Sequence, residues 1–484
     1  MKSITDFLSK NSDKKDRSKA HIAAVSYVFM ILFISMGAYF VHFVKVDSEE
    51  FIYNDYNSRF STFADTVIRG DILSADGKVI ATTKVDKDGQ EVREYPYKEL
   101  FAHTVGYVTN GSAGLEAKYS LELLKSNING DVKLKNNIDG VKNPGDNLYT
   151  TLDYKTQVAA REALGFYRGS IVSMEPDTGK IIAMVSKPDF DPATLNEYWE
   201  FVADKDNNSS VLLNRATNGM YPPGSTFKII TALSFMRQDE NYNDFYYDCK
   251  GTVKLNDFTM HCAGKSAHGG EDLTKAFYKS CNCAFSTIGN SFDLTEYKDT
   301  VEGLFFNTEL PTQLDSVKSS KFALKETATA EIIGQTSIGQ GDTLVSPLHM
   351  CMIASAIAND GEMMKPSLVD RIVSADGYPI STFQPQSAGK VMTEKETEAL
   401  SAMMEKVMEN GSVAEIDFGN LSVYGKTGSA QFTDDESLTH SWFVGYAVND
   451  EGKKLAIAVI MEEAGSGSKF ATPGAAQVFH AYFD

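Results

Sequence analysis

The sequence predicts an α+β fold, an α/β sandwich in which helices pack on an antiparallel sheet. Apolar positions recur at helical spacing in residues 154–164, and a last helix is predicted from about residue 473. Between them, residues 225–410 are predicted to be largely helical. The strands of the sheet are predicted near residues 170–186, 421–432, 441–448 and 454–462.

Composition sets the broad class of the protein. The chain has 484 residues, of which 42% are hydrophobic, so it has room for a sizeable core and two domains. The net charge of −19 argues against nucleic acid as a partner. No cofactor is predicted.

Residues 22–44 form one long apolar stretch without a formal charge. At about 1.5 Å per helical residue it can cross a hydrocarbon core of about 30 Å. Lysines and arginines precede it and acidic residues follow it, which predicts a cytoplasmic tail (residues 1–21) and an exported remainder. A cleaved signal peptide is the alternative, but its apolar core should end in small residues, whereas Tyr39, Phe40 and Phe43 are bulky.

The exported part is predicted to contain two domains. Residues 45–148 carry turn signals at Asp76-Gly77 and Asp88-Gly89, which are consistent with short strands, and they show no obvious chemistry. Residues 142–147 are rich in Asn, Gly and Pro and are predicted to form a linker. Residues 149–484 form the second, larger domain.

Three short motifs in this larger domain indicate an acylating serine site with a lysine base. Each supplies a part that acyl transfer needs. In chain order they are Ser225-Thr226-Phe227-Lys228, Ser280-Cys281-Asn282 and Lys426-Thr427-Gly428. Other Ser-x-x-Lys matches, such as that starting at Ser387, lie in charged or Ser- and Gly-rich segments, whereas Ser225 follows Pro-Pro-Gly and precedes an apolar run.

The spacing of the first motif predicts a nucleophile and its base. On a helix starting near Ser225, Lys228 lies on the same face and can hydrogen-bond the hydroxyl that it must deprotonate. To act as a base near neutral pH, Lys228 needs a pKa about three units below its ordinary value, which corresponds to roughly 4 kcal/mol. Burial and a second cation, Lys426, are the expected causes.

The other two motifs predict substrate contacts. Lys426 lies in a β-rich run that suggests a strand along which an extended substrate can lie, and Gly428 would let that substrate approach the backbone. Thr427 and Lys426 could together hold a carboxylate. The hydroxyl of Ser280 can relay a proton, and the amide of Asn282 can bind a peptide carbonyl.

An oxyanion would also need hydrogen-bond donors. The backbone N–H of Ser225 is predicted to supply one and that of Ser429 the second.

With these three motifs, the chain resembles the class B, monofunctional penicillin-binding proteins. The resemblance extends to further segments of the larger domain, which are residues 169–186, Asn214-Arg215-Ala216, Gly339-Gln340-Gly341 and Ser441-Trp442-Phe443-Val444-Gly445.

This resemblance implies a penicillin-binding-protein transpeptidase fold over residues 149–484 and a non-catalytic pedestal or dimerisation-type domain over residues 45–148. It implies D,D-transpeptidation, in which Ser225 attacks the D-Ala-D-Ala end of a peptidoglycan stem peptide and β-lactams acylate the same serine. Lys228 would be the general base, Ser280 the proton relay, and Asn282 a substrate-binding residue. Lys426 with Thr427 would receive the terminal carboxylate. Because no glycosyltransferase signature is found, a membrane-embedded glycan polymerase and other wall-synthesis proteins are expected partners.

The chain has five cysteines, so at least one is unpaired. Cys249 and Cys262 bracket a short Gly- and Asn-containing segment that could be a hairpin, and outside the membrane they might form a disulfide. Cys281, Cys283 and Cys351 are interpreted as small packing residues. The histidines near Cys262 match no closed zinc pattern, so no metal is predicted.

Other functions remain open. A hydrolase, either a D,D-carboxypeptidase or a β-lactamase, would share the nucleophile but needs a base to activate water, and glutamates between Asn282 and Lys426 are candidates. A β-lactam sensor needs a cytoplasmic signalling domain, for which about 20 residues leave no room. A non-enzymatic cell-wall scaffold would not require all three motifs.

Overall fold

A computed structural model describes residues 23–43, 64–204, 209–433 and 438–484. The chain divides into two units, Met1–Thr62 and Phe63–Asp484.

The first unit contains helix α1 (Ala23–His42), which has 20 residues and a mean hydropathy of 2.0. At about 1.5 Å per residue it is about 30 Å long, the thickness of a hydrocarbon core. Its large apolar side chains are exposed. The predicted apolar helix is confirmed over this range, while the predicted tail, residues 1–21, lies outside the described residues.

The second unit mixes helices and strands. Its helices are α2 (Ala102–Val105), α3 (Gly114–Lys118), α4 (Ser120–Leu123), α5 (Gly130–Asp139), α6 (Tyr154–Leu164), α7 (Trp199–Ala203), α8 (Arg215–Asn218), α9 (Lys228–Gln238), α10 (Leu273–Tyr278), α11 (Asn282–Asn290), α12 (Leu294–Glu302), α13 (Ala330–Ser337), α14 (Pro347–Ala358), α15 (Glu394–Asn410) and α16 (Ala471–Phe483). Its strands are β1 (Val67–Ile68), β2 (Ile72–Leu73), β3 (Val79–Val85), β4 (Glu91–Glu94), β5 (Asn143–Pro144), β6 (Asn147–Thr150), β7 (Gly169–Met174), β8 (Ile181–Lys187), β9 (Tyr247–Cys249), β10 (Thr252–Leu255), β11 (Phe258–His261), β12 (Gly269–Glu271), β13 (Glu362–Met364), β14 (Val369–Val373), β15 (Pro379–Thr382), β16 (Ser387–Lys390), β17 (Ser422–Gln431), β18 (Thr439–Val448) and β19 (Lys454–Met461).

The central sheet has five antiparallel strands in the order β17-β18-β19-β7-β8. Successive side chains of a strand point to opposite faces. Along β19, Ala456 and Ala458 therefore pack toward α14, whereas Leu455 and Ile457 pack toward α6 and α16. Both faces are covered by helices, which is why the strand is apolar at consecutive positions. The predicted α/β sandwich is confirmed, together with its five strands and its first and last helices.

A second sheet has six strands in the order β15-β14-β6-β2-β3-β4. Its strands come from both sides of the predicted domain boundary after residue 148, and β6 itself spans that boundary. The sheet therefore ties residues 369–382 to the first part of this unit, and the boundary stays a prediction.

A buried group of charges holds the segment before this boundary together. The carboxylate of Glu116 is fully buried and accepts hydrogen bonds from Arg69 Nε and Arg93 Nε, both at 2.7 Å. Burial alone would raise the pKa of Glu116, but the two arginines outweigh it and hold that pKa below its ordinary value.

The region between residues 225 and 410 is less helical than predicted. Residues 247–271 form two short strand pairs, β9 with β12 and β10 with β11, and residues 362–390 contribute β13 to β16. The β10–β11 hairpin turns at Asn256, which has a φ of 54°, a conformation that asparagine tolerates better than most residues. The Asn-Asp turn signal at residues 256–257 favours this hairpin over a helix.

Candidate active site

Ser225 lies in a single 3₁₀ turn, Gly224–Phe227, which leads directly into α9. Gly224 has a φ of 54°, which a residue without a Cβ adopts without strain. The α-helix begins at Lys228 rather than near Ser225 as predicted. One turn still separates the two residues, so their side chains meet.

This nucleophile turn, residues 222–227, is packed tightly against the central sheet. The buried indole of Trp442 donates from Nε1 to the carbonyl of Pro222 at 3.0 Å. A Cβ added at Gly428 would lie 3.1 Å from the carbonyl oxygen of Pro223. The missing side chain of Gly428 therefore makes room for the nucleophile turn, a use that was not predicted from the sequence.

Lys228 is fully buried and lies at the centre of the site. Its Nζ donates to Ser225 Oγ at 3.1 Å, to Ser280 Oγ at 3.0 Å and to Asn282 Oδ1 at 2.8 Å. The carbonyl of Ser280 accepts a further hydrogen bond from the same nitrogen at 2.8 Å. The first two sequence motifs therefore meet at one amine.

The Ser280-Cys281-Asn282 segment bends sharply between α10 and α11. Ser280 has a φ of 56°, and Cys281 caps α11 by accepting from Ala284 N. The side-chain amide of Asn282 donates to His261 O at 3.1 Å, which leaves its oxygen facing Lys228. The bend brings the side chains of Ser280 and Asn282 to the same amine.

Lys426 completes the group from β17. Its Nζ donates to Ser280 Oγ at 3.1 Å and to Thr427 O at 3.0 Å, and the residue is only 1% exposed. The hydroxyl of Ser280 thus lies between two amines, and a continuous path of hydrogen-bonding groups runs from Ser225 through Lys228 and Ser280 to Lys426.

Burial controls the protonation of both lysines. It lowers the pKa of Lys228 to about 8, against smaller opposite effects of the Cys281, Cys262 and Cys283 thiols. Burial, and then the positive charge of Lys228, lower the pKa of Lys426 well below its ordinary value. Near neutral pH the site therefore holds a larger uncharged fraction of the amine next to the Ser225 hydroxyl than an exposed lysine would.

Ser225 and Asn282 open onto a cleft of about 1440 Å³ that is also lined by Ser429 and Gln431. These last two residues lie on β17, the edge strand of the central sheet. Thr427 shares their face because side chains alternate along a strand. Among the described strands β17 has a neighbour on one side only, and such an edge is suited to an added extended peptide. Of the predicted site residues, Ser225, Asn282 and Ser429 line this cleft, and the chain of hydrogen bonds described above joins Lys228, Ser280 and Lys426 to Ser225.

The sequence reasoning missed a buried ion pair beside the nucleophile turn. Arg215 is 1% exposed, and its Nε donates to Glu462 Oε1 at 2.7 Å. Tyr221, at the entrance to the turn, donates to the same oxygen at 2.7 Å. Arg215 appeared in the sequence only as part of a family-like segment. Glu462 gave no local signal because it lies 247 residues away.

The disulfide that the sequence left open between Cys249 and Cys262 is not formed in the structure. Both cysteines are free, and their sulfurs lie 3.7 Å apart, whereas a disulfide bond is about 2.05 Å long. Cys351 is buried, as expected of a packing residue.

Two family descriptions match the chain. One, the penicillin binding protein transpeptidase domain, matches residues 169–483, more than half of the chain. The other, the penicillin binding protein A dimerisation domain, matches residues 69–148.

Individual proteins are similar over most of the chain. The peptidoglycan D,D-transpeptidase PbpA of Mycolicibacterium smegmatis is 31% identical over 81% of this chain and 84% of its own length. Penicillin-binding protein A from M. tuberculosis, solved as a penicillin G acyl-enzyme complex, is 27% identical with a TM-score of 0.75, over 87% of this chain and 100% of that one. The D,D-transpeptidase domain of a peptidoglycan glycosyltransferase from Eggerthella lenta is 28% identical with a TM-score of 0.74, over 86% and 97% of the two chains. With a family match over the larger domain and a relative of this identity and coverage, the chain belongs to the penicillin-binding protein transpeptidases.

Proposed function

We propose that this chain is a membrane-anchored peptidoglycan D,D-transpeptidase in which Ser225 is the nucleophile and is also the residue that β-lactams acylate. The observation that carries the proposal is the contact of Ser225 Oγ with the buried amine of Lys228 at 3.1 Å, continued through Ser280 to Lys426. A nucleophile hydrogen-bonded to a base that a third group orients is the arrangement of covalent acyl transfer.

In the acylation step, uncharged Lys228 takes the proton from Ser225 Oγ as that oxygen bonds to the carbonyl carbon of the penultimate D-alanine. The backbone N–H groups of Ser225 and Ser429 stabilise the oxyanion. The peptide bond then breaks, and Ser280 gives a proton to the leaving nitrogen. The adjacent lysines can replace that proton because both contact the same hydroxyl. D-Alanine leaves, and the stem peptide remains as an ester on Ser225.

Transfer to an amine, rather than to water, is the proposed second step. A hydrolase of this type needs a base placed to activate water, and glutamates between Asn282 and Lys426 were the candidates. Residues 283–425 are all described, and no Asp or Glu among them lines the cleft. Glu462 and Glu463 do line it, and Glu462 is held in an ion pair by Arg215. An incoming amine is itself a better nucleophile than water and can give its proton back through Lys228.

Substrate binding is proposed to follow the edge of β17. The stem peptide would lie beside Ser429 and Gly428, with Asn282 holding a peptide carbonyl from the opposite side. The terminal carboxylate would lie near Thr427 and the positive charge of Lys426. The open edge of β17 and the position of Ser429 in the cleft support this orientation.

Helix α1 supports a single-pass membrane anchor, because it is long and apolar enough to span a bilayer. The basic residues before it favour a cytoplasmic tail and an extracytoplasmic catalytic domain. Residues 45–148 are proposed to act as the pedestal, and the dimerisation-domain match over residues 69–148 supports this role. A membrane-embedded glycan polymerase remains the proposed partner.

Labelling with a fluorescent penicillin tests the nucleophile. The full-length chain in detergent should become covalently labelled, and Ser225→Ala should abolish the label. Ser387→Ala is the matched control because Ser387 begins another Ser-x-x-Lys sequence, lies in β16 and should label normally. Labelling of Ser225→Ala at the wild-type level would refute the assignment.

A second measurement separates transfer from hydrolysis. The chain is supplied with a stem-peptide analogue that ends in D-Ala-D-Ala, with and without an amine acceptor, and products are identified by mass spectrometry. The expected product is the cross-linked peptide. A product that is only the shortened free acid, even with excess acceptor, would establish a carboxypeptidase instead.

A further inference from the structure

Behind the Ser280-Cys281-Asn282 segment lies a compact group of thiols and one imidazole, here called the thiol cluster: Cys249, Cys262, His268 and Cys281. The four sulfur and nitrogen atoms that could serve as ligands all lie within 4.8 Å of one another. We propose that the thiol cluster binds one Zn²⁺ ion and that this ion positions the segment that carries Ser280 and Asn282.

Four of the six distances between the ligand atoms match those of a tetrahedral site, and the other two are no longer than 4.8 Å. With Zn–S bonds of about 2.3 Å and Zn–N bonds of about 2.0 Å, ligand atoms lie about 3.8 Å apart for two sulfurs and about 3.6 Å apart for sulfur and nitrogen. The sulfur of Cys262 lies 3.7 Å from that of Cys249 and 3.6 Å from that of Cys281. The Nδ1 atom of His268 lies 3.6 Å from the sulfur of Cys249 and 3.9 Å from that of Cys262.

Separate elements deliver the four ligands. Cys249 ends β9, and its partner in the β9–β12 register is Gly269, the residue after His268. Cys262 directly follows β11, and Cys281 is the cap of α11. Because the ligands come from two strand pairs and a helix start, their spacing along the chain does not follow a closed zinc pattern. For this reason the sequence alone did not predict a metal site.

The surroundings of the cluster favour thiolates and a cation. Backbone N–H groups donate to two of the sulfurs, from Gly251 to Cys249 at 3.4 Å and from Ala284 to Cys281 at 3.3 Å. Such outer hydrogen bonds are typical of metal-bound ligands. On binding, the three thiols each release a proton, while His268 binds as the neutral imidazole.

Glu271 is the independent observation that points to a cation. It is fully buried, and neither of its carboxylate oxygens accepts a hydrogen bond from the residues that the structure describes. Its Oε1 lies 3.5 Å from His268 Nδ1. A buried carboxylate that accepts no hydrogen bond is costly, and a divalent ion would offset part of the negative charge that this carboxylate and the three thiolates bring together.

A disulfide or simple packing explains the cluster less well. A disulfide joins two sulfurs, but Cys262 lies at nearly equal distances from three, those of Cys249, Cys281 and Cys283, the last at 3.4 Å. Packing of small apolar side chains would not place an imidazole nitrogen against two sulfurs. Three thiolates and an imidazole form a soft ligand set, which zinc prefers over magnesium or calcium.

The ion would act on the active site through its neighbours in the chain. Cys281 lies between Ser280 and Asn282, both of which accept hydrogen bonds from Lys228. The carbonyl that orients the Asn282 amide belongs to His261, which precedes Cys262. Two of the four ligands are therefore adjacent to groups that set the geometry at Lys228. This positioning role rests on the proposed transpeptidase function, whereas the metal binding does not.

The metal is tested by elemental analysis of the full-length chain purified without chelators. We expect about one zinc ion per chain. Cys249→Ser and His268→Ala should each lose most of it, and Cys351→Ala is the matched control because Cys351 is buried outside the cluster. If a variant fails to fold, the wild-type chain is stripped with a chelator and titrated with Co²⁺, which should give the charge-transfer absorption of a cobalt–thiolate complex.

Three results would overturn the site. They are a wild-type chain that holds no zinc after incubation with Zn²⁺, zinc that survives in both ligand variants, and a disulfide between cluster cysteines found by mass spectrometry of the metal-free and metal-treated chain. Because Ser225→Ala should lose penicillin labelling but keep its zinc, failure of the metal site and failure of the proposed function are distinguishable.

The positioning role is tested by the acylation rate of chelated but folded chain, with folding checked by circular dichroism. We expect the rate with penicillin to fall tenfold or more and to return on addition of Zn²⁺. The dependence of the rate on pH should also change, because Lys228 loses fixed partners. A metal-free chain that acylates at the full rate with an unchanged pH profile would overturn this role.

Discussion

The protonation of Lys228 predicts how acylation depends on pH. Burial lowers the pKa of this lysine from 10.5 to about 8, which corresponds to roughly 3 kcal/mol. With this pKa, about a tenth of the amine is uncharged at pH 7 and about nine tenths at pH 9. Since only the uncharged amine accepts the proton of Ser225, acylation should speed up about tenfold between these values and then level off.

An exposed lysine would give a different curve. With an ordinary pKa of about 10.4, the uncharged fraction would rise about a hundredfold between pH 7 and pH 9 without levelling. The assay is the second-order rate constant for labelling by a fluorescent penicillin from pH 6 to pH 10, with circular dichroism at each pH to exclude unfolding. A rate that climbs a hundredfold without a plateau, or that does not change, would refute the reasoning.

A matched variant isolates the lysine in this assay. Lys228→Met keeps the length of the side chain but removes the base, so acylation should fall by a factor on the order of a thousand. The rise toward pH 9 should also disappear. A variant that keeps the rise would show that another group titrates.

Further predictions concern packing and charge. Trp442→Phe removes the hydrogen bond to the Pro222 carbonyl and should lower the free energy of unfolding by about 1–3 kcal/mol, measured in urea; an unchanged midpoint would contradict the role of that bond. Glu116→Gln leaves two arginines without their buried carboxylate and should cost about 3 kcal/mol or more at pH 7. Because the folded-state pKa of Glu116 is lowered, its stabilising effect is complete above its unfolded pKa and is lost as the pH falls through its folded pKa. The difference in the free energy of unfolding between Glu116→Gln and wild type should therefore become smaller in urea titrations at strongly acidic pH. Gly428→Ala should displace the nucleophile turn by a few tenths of an ångström and slow penicillin acylation about tenfold with unchanged circular dichroism; an unchanged rate would show that the turn tolerates the added methyl group.

Much of the fold was predictable because it follows from local patterns. The glycine-broken β-rich run of β17, the apolar runs of β18 and β19 and the helical spacing of α6 depend only on residues close together in the chain, and all were predicted near their observed positions. Among the strands between residues 247 and 271, only a hairpin between Cys249 and Cys262 was considered, because each strand is three or four residues long. A strand this short shows too few alternations to be told from a loop or a helix end.

The candidate site likewise contains contacts that the local sequence predicts and contacts that it does not. Ser225 and Lys228 lie within one turn, so their contact follows from spacing alone. The shared hydroxyl of Ser280 between Lys228 and Lys426 joins residues up to 146 positions apart, and the sequence supported it only through the order of three motifs. No comparable order of motifs along the chain indicated the thiol cluster.

The sequence by itself determined that this chain has an apolar N-terminal helix, an α/β sandwich and the three motifs of an acylating serine site, because periodicity and contiguous motifs are properties of neighbouring residues. Only the tertiary structure decided which groups surround Lys228, that Gly428 makes room for the nucleophile turn, and that Cys249, Cys262, His268 and Cys281 converge. Distance, burial and the resulting pKa shifts arise when remote segments pack together and exclude water, and no local pattern records them.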